Sequence, residues 1–237
     1  MKQKVFCIIQ ARLGSTRLPG KVLKLIASKP VLWHLMENLK FSQKIYKFII
    51  ATSKNKQDNA LVKICKKYHW NYFRGDENNV LDRYYQAARS LQAQEKDLIV
   101  RITADDIFHD PYFIDGAINL LQSLFPYCEH ISNNRKFTLP YGFDFEIFSY
   151  KSLKNARHKA KSAFEQEHVT PYIRNASNKF PFISISNSRP LKQIHLSIDT
   201  IKDFNFNTQL YKKLKKLNKK RPFLYRDILE ALKIKHN

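Results

Sequence analysis

Residues 5–21, VFCIIQARLGSTRLPGK, indicate the fold class of this protein. The run Val5–Gln10 is short and apolar, which is typical of a strand buried on both faces of a parallel sheet. The loop that follows holds Gly14 and Gly20, two of the five glycines in the 237-residue chain. In so glycine-poor a sequence, we expect both glycines to meet a backbone requirement. A buried strand that leads directly into such a loop favours an α/β architecture.

Strands and helices alternate through the first half of the chain. Further apolar runs, predicted to be strands, lie at 46–52, 70–73 and 98–103. Helical patterns lie at 30–39, 58–68, 80–93 and 111–124. This order predicts a mostly parallel, doubly wound sheet that is covered by helices.

The second half of the chain has a different pattern. Residues 143–148 alternate apolar and polar side chains, as a half-exposed strand does, and 182–186 and 194–198 are predicted to be strands. Helices are predicted at 204–217 and 224–234. We therefore expect one domain over residues 1–237, with a small, partly antiparallel extension between about 125 and 195.

The charge balance is strongly basic, with 42 Lys and Arg against 20 Asp and Glu, or +22. Such a charge can indicate a nucleic-acid-binding protein, but only 12 of the 42 basic residues are arginines. Much of the excess lies in the run KKLKKLNKKR at 212–221, where leucines recur at helical spacing. The spacing predicts a solvated face of an amphipathic helix, and the alternative is a patch for an acidic polymer, a partner or a membrane surface.

Several protein classes are disfavoured by composition. The apolar runs are far shorter than the ~18 residues of a membrane span, and the start of the chain does not resemble a signal peptide. The three cysteines are far apart and odd in number, which disfavours a disulfide framework and favours a cytoplasmic chain.

The loop after the first strand suits phosphate. Its glycines allow backbone N–H groups to converge on an anion, and Arg12, Arg17 and Lys21 can neutralise it. The alternative is an ordinary polar turn that is basic. Two carboxylates, Asp105 and Asp199, follow the predicted strands 98–103 and 194–198. Beside phosphates they would suit Mg²⁺, although each could instead cap a helix or close a turn.

Seven segments carry a resemblance to a known family, and the match spans roughly residues 4–205. They are IIQARLGSTRLPGKVL, ATS at 51–53, FRGDENNVLDRYYQAA, DLIVRITADD, YGFDFEIFS, EHVTPYI and LSIDTIKDF. In this order they resemble bacterial sugar cytidylyltransferases, such as those for 3-deoxy-manno-octulosonate and acylneuraminate. VLDRYY, EHVTP and the segment at 142–148 resemble the spore coat polysaccharide biosynthesis protein SpsF type most closely.

The resemblance implies a Rossmann-like nucleotide-diphospho-sugar transferase fold. It implies an enzyme that couples CTP to a sugar acid or a sugar phosphate, with release of pyrophosphate, for surface polysaccharide or glycan biosynthesis. It further implies Mg²⁺ as cofactor and a homodimer formed through the extension. Nucleic acid is not an expected partner.

The resemblance also implies roles for individual residues. Those expected to bind the nucleotide are Ala11, Arg12, Gly14, Ser15, Arg17, Lys21, Asp82, Arg83 and Thr103. Arg12, Lys21 and Asp105 are expected to be catalytic, and Asp105 and Asp199 to bind the metal. Asp144, Glu146, Glu167 and His168 are expected on the acceptor side.

Some of these assignments have alternatives. Asp144 and Glu146 share one face of the predicted strand, which faces either solvent or a sugar pocket, and His168 could simply bond locally. Relatives commonly have proline where this chain has Ile107, and Asp106 adds charge there, so we expect a changed acceptor or metal geometry. The competing function is a non-catalytic relative that binds nucleic acid or scaffolds a glycan pathway through its basic surface.

Overall fold

The computed structural model describes residues 2–175, 180–188 and 190–234. The strands of its main sheet are β1 (Val5–Gln10), β4 (Lys47–Ser53), β5 (Tyr72–Gly75), β6 (Leu98–Thr103), β7 (His130–Ser132), β8 (Glu146–Ser149) and β9 (Phe182–Ser184). A separate antiparallel pair consists of β2 (Leu25–Ile26) and β3 (Lys29–Pro30).

The helices that accompany the sheet are α1 (Val31–Leu39), α2 (Asn59–Lys67), α3 (Val80–Ser90), α4 (Pro111–Leu124), α5 (Tyr150–Lys159), α6 (Ala163–His168), α7 (Pro171–Arg174), α8 (Ile201–Lys216) and α9 (Tyr225–Ala231). Short 3-10 turns lie at Lys21–Leu23 and Lys56–Asp58. No described helix is both long and apolar enough to cross a bilayer.

The predicted parallel sheet is confirmed. Its order is β5-β4-β1-β6-β8-β7-β9, and the first four strands run parallel. β1 lies between β4 and β6, with Gln10 opposite both Ala51 and Thr103. The loops that follow β1 and β6 therefore leave the sheet side by side, and these two loops position the candidate site.

The alternation of side chains along β1 explains why the chain forms layers. Cys7 and Ile9 point into a core that contains residues of α1 and α4, whereas Phe6 and Ile8 point into a second core with residues of α3 and α5. All of these side chains are buried, so the first strand is apolar on both faces. The three cysteines are free and buried.

The extension differs from the sequence prediction in two respects. The strand predicted at 143–148 is β8, and all four of its residues are buried, so it is not half-exposed. It lies antiparallel between β6 and β7, which cover its edges. Residues 194–198 do not form a strand, since their only described pairing is an isolated bridge between Tyr141 and His195. Residues 176–179 and 189 of the predicted extension lie outside the described residues.

The C-terminal helices cover the loop end of the sheet. Leu210 and Leu214 of α8 are buried in a third core together with Leu18 and Ile26, as the helical spacing predicted. Leu217 is 42% exposed at the end of α8, and the neighbouring lysines are exposed. This packing holds residues 199–203, at the start of α8, against the loop that follows β1.

Candidate active site

A buried carboxylate fixes the conformation of the loop after β1. Asp58 is fully buried, and its Oδ1 accepts a hydrogen bond from the Leu13 backbone at 2.8 Å, while Oδ2 accepts from the hydroxyl of Ser53. The loop closes where the Gly20 N–H donates to the Leu13 carbonyl at 3.0 Å. Gly20 has a φ of +67°, a left-handed conformation that favours glycine, and it directs the chain into the turn that begins with Lys21.

Three charged side chains meet where the loop, β6 and α8 come together. The Nζ of Lys21 donates to Oδ2 of Asp105 and, at 2.9 Å, to Oδ1 of Asp199. Arg17 contacts the same Asp199 oxygen at 2.9 Å from a more exposed position. Burial opposes the charged ammonium, but the two carboxylates outweigh it and raise the pKa of Lys21. Lys21 is therefore a fixed positive charge at neutral pH.

Backbone contacts hold Asp105 and Asp199 together, although 94 residues separate them in the sequence. The Ile198 N–H donates to the Asp105 carbonyl at 3.1 Å. Thr200 and Asp203 then form a reciprocal capping box that starts α8 directly after Asp199. The structure thus brings together two carboxylates that the sequence predicted as a pair.

A first cavity, of about 260 Å³, opens beside this cluster. The predicted nucleotide-binding residues that line it are Ala11, Arg12, Gly14, Ser15, Arg17, Lys21 and Thr103. Asp105 and Asp199 also line it. The cavity combines loop backbone with three basic side chains, which is the donor set that a polyphosphate requires.

A second cavity, of about 310 Å³, adjoins the first. Its lining includes Arg101, Asp106, Asn134, Phe137, Tyr141, Asp144 and Ser197. It shares Thr103, Asp105 and Asp199 with the first cavity. The two carboxylates therefore border both cavities, so molecules bound in the two cavities would meet there.

Asp82 and Arg83 do not line either cavity. Asp82 forms an ion pair with Arg157, and Arg83 is buried with its guanidinium donating to the carbonyls of Asp76 and Glu77. Glu77 in turn contacts Arg12 of the loop at 3.6 Å. Arg83 thus contacts the segment whose Glu77 pairs with Arg12, and it does not reach the first cavity itself.

The predicted acceptor residues are separated by the structure. Asp144 lines the second cavity, and Glu146 lies buried behind it in an ion pair with Arg101 at 3.0 Å. Glu167 is exposed in a separate groove beside Asp76 and Asn79, and exposed His168 packs against Phe164. Glu167 and His168 thus lie outside the cavity that Asp144 lines.

The buried carboxyl groups around the second cavity have different environments. Burial and the adjacent Asp105 raise the pKa of Asp106 well above its ordinary value. Burial also raises the pKa of Asp144, to about 6. Burial acts in the same direction on Glu146, but His130 and Arg101 outweigh it and lower its pKa to about 2. Glu146 is therefore ionised and paired, whereas Asp106 and Asp144 form no ion pair with any described residue.

Sequence reasoning missed several residues of the second cavity. Asp106 was noted only as added charge in a turn, yet it is 4% exposed and accepts from the Thr103 hydroxyl. Tyr141 stacks on His195 with ring centroids 4.5 Å apart, and His195 contacts Asp203 at 3.3 Å. Asp106 could have been found, because it departs from the family pattern at the end of a strand.

The carboxylate pair suits a divalent cation that is completed by phosphate oxygens. No group of three or more His, Cys, Asp or Glu suited to a metal occurs in the described residues. Asp105 and Asp199 nevertheless share one cation already, the ammonium of Lys21. Two carboxylates beside a polyphosphate cavity match the oxygen ligands that Mg²⁺ takes with phosphates.

Comparisons with known proteins agree with this geometry. The family model described as cytidylyltransferase matches residues 6–234. SpsF, the spore coat polysaccharide biosynthesis protein of Bacillus subtilis, is 34% identical over 88% of this chain and 87% of its own. An uncharacterized protein of Methanocaldococcus jannaschii is 38% identical over 91% and 86%. The solved structure of a cytidylyltransferase from Leptospira borgpetersenii is 31% identical, with a TM-score of 0.88 over 98% of this chain and 94% of that one.

Proposed function

The chain belongs to the cytidylyltransferase family, and from this premise we propose that it transfers CMP from CTP to an oxygen of a sugar acid or a sugar phosphate. Pyrophosphate is the second product. The observation that carries the proposal is the cluster of Lys21, Asp105 and Asp199, which borders both cavities. The reacting groups of two substrates would meet at this border.

The first cavity binds the nucleotide in this proposal. Residues of the loop line the space for a triphosphate, among them the basic residues Arg12, Arg17 and Lys21. Lys21 is well placed to stabilise charge that develops on the leaving pyrophosphate, because its buried ammonium is held in position before substrate arrives. Preorganised charges need no rearrangement in the transition state, which is where they accelerate the reaction.

The transfer itself requires positioning more than covalent chemistry. An acceptor oxygen forms a bond to the α-phosphorus while the bond to pyrophosphate breaks, and pyrophosphate leaves with the electron pair. The proton of an attacking hydroxyl passes to water or to the released pyrophosphate. Asp105 and Asp199 fix the border between the cavities, so they set the distance between the acceptor oxygen and the phosphate.

The proposal includes Mg²⁺ at Asp105 and Asp199. These carboxylates fit it because they already accommodate a shared cation beside the polyphosphate cavity. When bound, Mg²⁺ neutralises phosphate charge and polarises phosphate oxygens. Lys21 lines the same cavity and can donate to a bound phosphate.

The proposal also includes a homodimer and a role in surface glycan synthesis in the cytoplasm. The relative from Bacillus subtilis is named for polysaccharide biosynthesis, which supports the pathway class. Leu120, Leu124 and Tyr127 are exposed where α4 meets the extension, and Tyr127 is 85% exposed. An apolar patch there supports a subunit contact, and sedimentation equilibrium would measure it. Three free cysteines support a reducing compartment.

The decisive experiment measures thermal stabilisation by CTP, UTP, GTP, ATP and dTTP, each with and without Mg²⁺. Ligand at a hundredfold excess over Kd should stabilise the fold by about 2.7 kcal/mol. We expect a Mg²⁺-dependent shift with CTP, and its absence after Asp105→Asn. Glu95→Gln is the control, because it removes an exposed carboxylate before β6, at the opposite end of that strand.

Two outcomes would contradict the proposal. One is stabilisation by no nucleotide, together with salt-sensitive binding of a short RNA, which would favour the basic surface as the functional feature. The other is a CTP response that persists unchanged in a correctly folded Asp105→Asn variant, which would remove the metal assignment. Pyrophosphate release with candidate acceptors then identifies the second substrate.

A further inference from the structure

Resting on the proposed function, we propose that the second cavity selects an acceptor sugar that carries an amino group, held as an ammonium by Asp106, Asn134 and Asp144. The proposal concerns a part of the acceptor other than its reacting oxygen. It depends on unsatisfied polar groups in the wall of the cavity, on the charge of that wall and on its aromatic side chains.

The wall presents hydrogen-bond acceptors that have no donors. Oδ1 of Asp106 and Oδ1 of Asn134 are buried, and neither has a hydrogen-bond partner among the described residues. Their residues are only 4% and 8% exposed. Buried acceptors without donors are costly in a folded protein, so donors are expected from a bound molecule. Asn134 supports the inference of a bound donor independently of the carboxyl groups, because its amide oxygen is a hydrogen-bond acceptor whatever their protonation state.

Asp144 forms no ion pair with a described residue, although the charges of Arg101 and Arg174 act on it from further away. Its one hydrogen bond among the described residues is long, with the Gly142 N–H donating to Oδ2 of Asp144 at 3.5 Å. Asp105, Asp106, Asp144 and Asp199 all line this cavity. Of the described lining residues, Arg101 alone is basic, and it is engaged by Glu146 at 3.0 Å.

This charge distribution distinguishes an ammonium from other groups. A carboxylate or phosphate on this wall would face uncompensated Asp106 and Asp144. A hydroxyl could donate one hydrogen bond but would leave the negative charge uncompensated. An ammonium has three donors and a positive charge, which match an arrangement of two carboxyl groups and one amide oxygen. Burial raises the pKa of Asp144, which agrees with the lack of an ion-pair partner at this carboxyl group.

Aromatic side chains complete the cavity. Phe137 is 48% exposed and Tyr141 is 40% exposed, and both line it. Aromatic faces attract cations, so these rings and the carboxyl groups favour the same charge on a bound molecule.

The test compares glucosamine with glucose, which differ by an ammonium against a hydroxyl at one carbon at neutral pH. Saturation-transfer NMR titrations measure the affinity of each for the wild type, Asp144→Asn, Asp106→Asn and the control Glu95→Gln. We expect glucosamine to bind the wild type about tenfold more tightly than glucose, a ratio that corresponds to one charge-assisted contact. In Asp144→Asn the preference for glucosamine over glucose should fall to about twofold, whereas Glu95→Gln should keep the preference of the wild type.

Three results would overturn the inference. They are failure of glucosamine to bind, equal binding of the two sugars by the wild type, and a preference that survives in both Asp144→Asn and Asp106→Asn. The CTP stabilisation experiment is run on the same samples. If CTP stabilises the wild type but glucosamine is not preferred, the amino-group inference fails and the proposed function stands. If CTP has no effect, the proposed function itself fails.

Discussion

At the scale of single residues, the site depends on charges whose partners are unequal. Lys21 has two carboxylates, and Asp199 has two cations, Lys21 and Arg17. Asp144 has none in the described chain, although it is largely buried. Lys21 and Asp199 are held in place by their ion pairs before substrate binds. Asp144 has no such pair, so its charge destabilises the fold until a ligand compensates it.

Lys21→Ala should reduce turnover by about 10²-fold or more, because it removes a preorganised charge from the leaving-group side. Steady-state pyrophosphate release measures this, and the loss should appear in kcat rather than only in KM for CTP. Lys40→Ala is the matched control, since Lys40 is exposed and pairs only locally with Glu37. Comparable losses in both variants would contradict a specific role for Lys21.

Asp144→Asn should stabilise the fold at neutral pH in the absence of ligands. The pKa of Asp144 rises from 3.8 to about 6 on folding, so the folded state binds its proton more tightly and stability falls as pH increases from 3.8 to about 6. Above pH 6 the full cost applies, about 3 kcal/mol, and the variant avoids it. The Tm should therefore rise by a few degrees at pH 8 and not at all below pH 3.8.

At the scale of elements, the antiparallel strand β8 is the least expected part of the sheet. It places Glu146 directly opposite Arg101 of β6, so a buried ion pair lies across two strands behind the second cavity. Thr170, just before α7, also donates to Glu146 at 2.9 Å. The Glu146 side chain thus connects the sheet to the α6–α7 segment.

Glu146→Gln should destabilise the protein by about 3–5 kcal/mol at neutral pH, since it leaves the buried Arg101 charge without a partner. Because folding lowers the pKa of Glu146 from 4.5 to about 2, its contribution is present above pH 4.5 and lost as pH falls through 2. Thermal or urea unfolding measures the loss. Glu95→Gln, in an exposed pair with Lys154, should leave the Tm unchanged.

Strands and helices were predictable from the sequence where a local pattern of residues defines them. β1 at Val5–Gln10, β6 at Leu98–Thr103 and α4 at Pro111–Leu124 have the predicted bounds, because apolar runs and a proline at the helix start suffice to define them. The exposure predicted for 143–148 was wrong because side chains from distant segments cover the polar face of β8, where Glu146 contacts Arg101 and Thr170. The strand predicted at 194–198 was wrong because its apolar residues fill the third core under α8 without pairing.

The candidate site was also predictable only where local sequence defines it. A loop rich in glycine and basic residues is visible in the sequence, and so are two carboxylates that follow apolar runs. The burial of Asp106 and the stacking of Tyr141 on His195 are not, because both require contacts between segments far apart in the chain. The proximity of Asp105 and Asp199 was predicted only by resemblance and position.

At the scale of the whole molecule, the net charge of +22 is much larger than the charge of the three basic residues that line the first cavity. Lys212, Lys213 and Lys216 of α8 lie exposed on its outer face. Like charges repel in the compact state, and this repulsion falls as salt shortens the Debye length from ~30 Å at 0.01 M to ~10 Å at 0.1 M.

Salt should therefore stabilise this protein. We expect the Tm to increase with sodium chloride between about 0.01 M and about 0.1 M, and to increase less in a variant with Lys212→Gln, Lys213→Gln and Lys216→Gln. Differential scanning calorimetry measures both midpoints. A Tm that is independent of salt in the wild type would show that ion pairs balance the repulsion.

The contact between Lys21 and Asp199 spans 178 residues of sequence, which has a consequence for the protein during its own synthesis. At about 5–20 residues per second, a ribosome needs about 10–35 s to reach Asp199 after Lys21. Throughout that interval the emerging chain has the loop but lacks the carboxylate that comes with α8. If the proposed function holds, we expect a nascent chain to be inactive until Asp199 has been translated, and a chain truncated before this residue to be inactive as well.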